Sequence, residues 1–109
     1  MTYHNYEKCI EACLRCASAC MYCASSCLKE KDVKMMARCI QLDMECAAVC
    51  QTAAQLMSLG SERVEEYSKL CATICDACAD ECDMHNNEHC KLCAEACRLC
   101  ADMCMEIAV

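Results

Sequence analysis

With 109 residues, the chain has room for one small domain, and its net charge of −7 comes without any basic cluster. It holds 18 cysteines and nine methionines but one glycine and no proline, tryptophan or phenylalanine. That composition excludes the many tight turns of an all-β domain, a nucleic-acid or anionic-membrane surface and any apolar run near the ~18 residues of a membrane span. The start, MTYHNYEKC, has neither the basic lead nor the apolar stretch of an export signal, so a cytoplasmic protein is expected. In a reducing compartment, abundant cysteine points to metal binding or redox chemistry rather than to a disulfide scaffold.

The first element is a helix from about Tyr3 to Glu30, carrying Cys9, Cys13, Cys16, Cys20, Cys23 and Cys27. Their spacing alternates four and three, a mean period of 3.5 that keeps every thiol on one helical stripe. A second apolar stripe, Ile10, Leu14, Ala17, Met21, Ala24 and Leu28, runs one step round and either seals the core or forms a contact between copies. Asp32 is a plausible cap for the second helix, which continues to about Ser58 with Cys39, Cys46 and Cys50, Leu42 filling the skipped position. Gly60 ends it, and Ser61 can cap a third helix with Cys71, Cys75, Cys78 and Cys82. Asn86 or Asn87 can cap the fourth, with Cys90, Cys93, Cys97, Cys100 and Cys104.

Connections of a few residues force sequential helices to lie antiparallel, so the fold expected is all-α, a single up-down-up-down four-helix bundle over residues 1–109. Each periodic stripe turns inward. Cysteine therefore occupies the positions that leucine, isoleucine and valine fill in an ordinary bundle. Pairing helices about their loops predicts layers: Cys27, Met35, Cys82 and Cys90 at one end, then Cys23, Cys39, Cys78 and Cys93, then Cys20, Leu42, Cys75 and Cys97, then Cys16, Cys46, Cys71 and Cys100. Cys13, Cys50, Cys104 and Ser68 follow, and Cys9 comes last. Met35, Met36, Met84, His85 and His89 gather at the first end as weaker handoff ligands. Tyr6, Met57, Val64, Tyr67 and Ile107 plug the other; His4 is incidental.

A purely structural role for so many thiols is disfavoured, because aliphatic residues would fill the space without oxidation liability. Disulfides within one helix fail on distance, since i and i+4 Cβ atoms lie ~5–6 Å apart against the ~3.5–4.5 Å of a bridge. Metal thiolate chemistry remains. Four Cys₄ zinc sites would bury about −8 of charge in a narrow core, which is costly. Soft Cu(I) accepts two or three thiolates, and one ion per thiolate leaves the core neutral. Iron–sulfur ligands sit on loops, which straight ladders do not supply. Two alternatives stay open: a thiol redox protein storing oxidising equivalents as disulfides, and a broad sink for Zn, Cd or Ag. No nucleophile–base pair suggests an enzyme.

The runs CIEACLRCASACMYCASSC, CIQLDMECAAVC, CATICDACADEC and HNNEHCKLCAEACRLCADMC resemble the cysteine-lined four-helix-bundle copper storage proteins of bacteria, over essentially the whole chain. The resemblance implies a homo-oligomer, tetrameric in form, that fills with many Cu(I) ions, and it aligns the chain with the cytosolic branch. The expected ligands are the 18 cysteines, with Met35, His85 and His89 at the loading end. A copper donor or acceptor protein, or a small thiol, would be the partner.

Overall fold

The structure is a computed structural model describing residues 3–108, with side chains from residue 5 onward, so His4 lies outside the described side chains. Four α-helices follow in order: α1 (Tyr3–Leu28), α2 (Ala37–Leu59), α3 (Val64–Cys82) and α4 (Glu88–Ala108). A 3₁₀ turn, Val33–Met36, leads into α2, and no strand occurs among the described residues. The helices lie antiparallel to their sequence neighbours in a rod of 47 × 19 × 17 Å. No helix is long and apolar enough to cross a membrane.

The chain's turn residues act largely as their chemistry dictates. Gly60 takes the left-handed conformation, φ 66° and ψ 38°, and its N–H donates to the last carbonyls of α2. A side chain there would meet the following carbonyl, so glycine is the natural stop. The Ser61 hydroxyl accepts from the Arg63 N–H at 3.0 Å and closes the turn into α3. Asp32 precedes the 3₁₀ turn rather than α2 and makes no side-chain cap there. The Asn87 carbonyl receives the Cys90 and Lys91 N–H groups, while its side-chain amide donates to Glu30 at 3.1 Å and ties α4 to the end of α1.

All eighteen cysteine side chains turn inward. Beside each cysteine stripe runs a pair of buried alanines seven residues apart: Ala17 and Ala24, Ala47 and Ala54, Ala72 and Ala79, Ala94 and Ala101. A methyl group at these positions lets neighbouring backbones approach closely, and that approach brings short cysteine side chains into mutual contact. The apolar second stripe of α1 divides between two environments. Ile10, Ala17 and Ala24 are buried, whereas Leu14, Met21 and Leu28 stand in solvent one heptad apart.

Three expectations need correction. Met35 does not enter the core layer. It is 67% exposed while Met36 is 4% exposed, because the 3₁₀ turn rotates the chain by one residue before α2 begins. Leu42 does not stand in for the missing cysteine of α2. Asp43 does, with no exposed surface, and Leu42 packs at the edge of the core. The layers are also staggered: Cys39 meets Cys82 at 3.6 Å and Cys46 meets Cys75 at 3.5 Å, one helical turn along α3 from the partners expected. Partners lie four residues further apart in the chain than the assumed register has them, because α2 runs on to Leu59 and the turn centres on Gly60 and Ser61.

Asp43 is an acid inside a sulfur core, with its Oδ1 accepting from Cys78 at 3.2 Å and Cys93 at 3.3 Å. Burial first, then the neighbouring Cys93 and Cys78 thiols, pushes its carboxyl up to about 10 from the ordinary 3.8. The folded chain thus keeps a proton that the unfolded chain releases near pH 4. The stability tied to that proton is full below about pH 4 and is lost as pH climbs toward about 10. Thermal melts of metal-free Asp43→Asn from acid to alkaline pH should show a flatter decline than the native chain, the gap widening as pH rises. A test of the alanine seam is Ala79→Leu, which should lower unfolding free energy by ~1–3 kcal/mol in denaturant melts, the usual cost of overpacking.

Candidate metal centre

The inward stripes merge into one column of sulfur along the bundle axis. None of the eighteen cysteines is bridged, and all are buried. Seventeen have no exposed surface, and the exception, Cys9, has 3%. The tightest sulfur–sulfur contact is 3.5 Å, between Cys46 and Cys75, and many others lie between that and 4.0 Å, as for Cys27–Cys90. From the Cys9 end the column passes through Cys104 and Cys13, each step 3.8 Å, and on to Cys100 at 3.6 Å. Near its middle Cys97 meets Cys16, Cys20 and Cys46 at 3.6–3.8 Å.

Those spacings suit a shared soft ion. Two sulfurs on a trigonal ion with ~2.3 Å bonds lie ~4 Å apart. The i,i+4 pairs Cys23/Cys27, Cys46/Cys50, Cys71/Cys75 and Cys93/Cys97 each stand at 3.9 Å, so they can clip an ion with little side-chain movement. Fourfold groups also form: in Cys13, Cys71, Cys100 and Cys104, and likewise in Cys16, Cys20, Cys46 and Cys97, all four sulfurs lie within 4.8 Å of one another. Several groups share a cysteine, so a sulfur must bridge neighbouring ions for the column to fill. Thiolate bridging of univalent ions satisfies both geometry and charge, because each ion cancels one thiolate. Filling the same groups with divalent ions would leave uncompensated charge in the interior.

Asp43 is the functional residue that periodicity reading passed over. Its Oδ1 gathers Cys78, Cys93 and, at 3.7 Å, Cys82, while Oδ2 faces Cys39 at 3.8 Å. It thus supplies an oxygen donor where α2 would otherwise present sulfur. The signal was available: stepping four from Cys39 reaches Asp43, three more reaches Cys46 and four more Cys50. Asp43, not Leu42, restores the alternation.

At the end where the α1–α2 and α3–α4 connections meet, the column is capped by histidine. His89 Nδ1 lies 3.5 Å from Cys90, 3.6 Å from Cys23 and 3.8 Å from Cys27. Its Nε2 is buried without a hydrogen-bond partner. Desolvation, then the nearby Cys39 thiol, pushes the Cys90 thiol up to about 11, and desolvation likewise raises Cys27. These inner-mouth thiols are therefore protonated before metal arrives. His85 sits further out, its Nε2 2.9 Å from Glu81, whose other oxygen pairs with Arg38 at 3.4 Å. A cavity of about 630 Å³ opens over this end, lined in part by Met35, Met36, Met84 and His85. Met35 thus borders the mouth, though it is outside the core.

At the opposite end, Tyr6, Met57 and Val64 are buried, with Tyr67 and Ile107 packed partly against them, as an aliphatic and aromatic plug.

Comparison with known proteins places this geometry in context. The family described as copper storage protein matches residues 2–109. An uncharacterised cysteine-rich protein of Bacillus subtilis, YhjQ, is 44% identical over 82 residues, covering 75% of this chain and 76% of its own. The Cu(I)-bound copper storage protein BsCsp3, from Bacillus subtilis, superposes with a TM-score of 0.92 at 43% identity, covering 95% of this chain and 98% of that one. A cytosolic copper storage protein from Streptomyces lividans, holding five coppers, gives 0.93 at 43% identity, covering 97% and 93%. Four antiparallel helices lined with unbridged, converging thiols, matched end to end in sequence and in backbone, establish that this chain belongs to the copper storage protein family.

Proposed function

We propose that the whole chain acts as one cytosolic storage domain, holding Cu(I) at about one ion per cysteine thiolate, a saturable reservoir rather than a catalyst. The observation that carries this is the convergence of eighteen unbridged, buried thiols: an unbroken run of sulfur contacts of 3.5–3.9 Å leads from Cys9 to Cys93, and Asp43 joins Cys39, Cys78 and Cys82 to it. A chain of sulfurs at that spacing can share univalent ions along its length without accumulating charge. Each ion bound displaces about one proton, and it ties adjacent helices together. Filling should therefore stiffen the bundle. Asp43 takes part as the oxygen donor at the centre of Cys39, Cys78, Cys82 and Cys93.

Loading proceeds from the His/Met end. Met35, Met84 and His85 line the open cavity, and His89, at the same end, stands against Cys23, Cys27 and Cys90. An ion arriving in the cavity meets weaker thioether and imidazole donors first, then thiols that must give up their protons. That order lets the ion descend into tighter sites without being trapped at the rim. The exposed Leu14, Met21 and Leu28 stripe on α1 supports association into a homo-oligomer, a tetramer in our reading, which would cover apolar surface left open in the single chain.

Anaerobic titration with Cu(I) distinguishes this from the alternatives. Thiolate–Cu(I) absorbance should rise linearly to roughly one ion per cysteine, with proton release in parallel. Saturation with Zn(II) at about four ions would favour a divalent sink, and a stable, reversibly oxidised form that takes up no copper would favour thiol redox storage. Replacing Met35, His85 and His89 together should slow loading by roughly tenfold, about 1.4 kcal/mol on the transfer barrier, while leaving most of the final capacity intact. Stopped-flow absorbance checks this, and unchanged loading kinetics would remove the mouth from the pathway.

A further inference from the structure

The plug closes the far end of the column along its axis but leaves its flank open. Between the first turns of α1 and the last turns of α4 lies a cavity of about 290 Å³, bordered by Asn5, Glu7, Cys9, Met103 and Glu106 among others. Cys9 is the one cysteine with any exposed surface. Met103 is partly buried against the core and lines the same cavity, so a thioether and a thiol share one opening. Behind Cys9 the sulfur path is unbroken, through Cys104 to Cys13 and Cys100. Glu7 and Glu106 put two carboxylates at the rim against the single ammonium of Lys8, a net negative opening that favours a cation.

We propose that this cleft is a side port where Cu(I) passes between Cys9 and a small thiol, an inference that rests on the reading of the bundle as a Cu(I) store. The cavity is at the small end of the range of ligand pockets. Its volume suits a thiol of amino-acid to tripeptide size, and the 3% exposure of Cys9 favours such a thiol over a ligand cysteine on a folded partner. The incoming thiol binds the Cu(I) held by Cys9, with the Met103 thioether as a passing third ligand. As the copper–Cys9 bond breaks, the proton of the incoming thiol goes to Cys9 Sγ. Copper remains univalent throughout, and no electron is transferred. A Cu(I) on Cys104 then moves across the 3.8 Å contact to Cys9 as the Cys9 proton passes to the Cys104 sulfur, so the vacancy travels inward as a proton. Mouth and port would divide the traffic, with loading at the histidine end and thiol-driven exchange at the flank.

The test loads the full chain with Cu(I) anaerobically, records the capacity, then adds excess glutathione and follows loss of thiolate–Cu(I) absorbance. Asn5→Trp fills the cleft without removing a sulfur, and Met103→Leu keeps the shape but removes the thioether. Each should slow glutathione-driven release by about tenfold. Release at the native rate in both variants overturns the port. A native chain that never takes up about one Cu(I) per thiol defeats the storage reading instead, so the two failures are told apart. A second measurement needs no variant: brief treatment of the metal-free chain with iodoacetamide, followed by peptide mass mapping. Cys9 should be alkylated first, and first labelling at Cys27 or Cys90 would overturn the proposal.

Discussion

The structure depends on one constraint, the inward convergence of short thiol side chains on four helices held close together. Cysteine reaches only one atom beyond Cβ, so sulfurs on opposite helices touch only if the backbones approach closely. The paired alanines beside each stripe provide that approach, Ala72 and Ala79 on α3 facing the same demand as Ala94 and Ala101 on α4. A bundle with leucine at these places would keep its helices and its cysteines yet hold the sulfurs too far apart to share an ion. Storage capacity thus originates in small residues that never touch metal.

The same constraint explains why the interior favours a univalent cargo. Overlapping sulfur groups, such as those meeting at Cys16, Cys20, Cys46 and Cys97, leave no insulating layer between successive sites. Charge put into one site is felt by the next through a medium of low polarity. One positive charge for each thiolate is the arrangement that does not accumulate. Before metal arrives, burial keeps the Cys90 and Cys27 thiols and the Asp43 carboxyl protonated, so an ion bound at these groups displaces a proton. The metal-free core is held by small apolar groups and weak S–H contacts, and it gains its strongest cross-helix links only from the cargo.

The bundle's two ends are chemically unlike. One gathers histidine and methionine around an open cavity, with His89 linked to the outermost sulfurs and His85 fixed by Glu81 and Arg38. The other is shut by Tyr6, Met57 and Val64. Under the proposed loading route that asymmetry is useful, since weak ligands at an entrance would hand an ion over to strong ones inside. Short loops place the α1–α2 and α3–α4 connections together, so the up-down topology itself gathers these histidines and methionines.

Much of this could be read directly from the chain. The four-three alternation of cysteines determined the helices, their inward face and the soft-metal chemistry, because helical geometry alone places such residues on one stripe. Gly60 and the short connections determined the antiparallel order. The tertiary structure decided what periodicity on single helices cannot: that Met36 rather than Met35 turns inward after a 3₁₀ turn, that Asp43 rather than Leu42 completes the stripe of α2, and that Cys39 meets Cys82. Leu42 and Asp43 are adjacent on the helix, and hydrophobicity favours burying the leucine. The acid goes inside because its place on the stripe points to the axis and four thiols stand there to receive it.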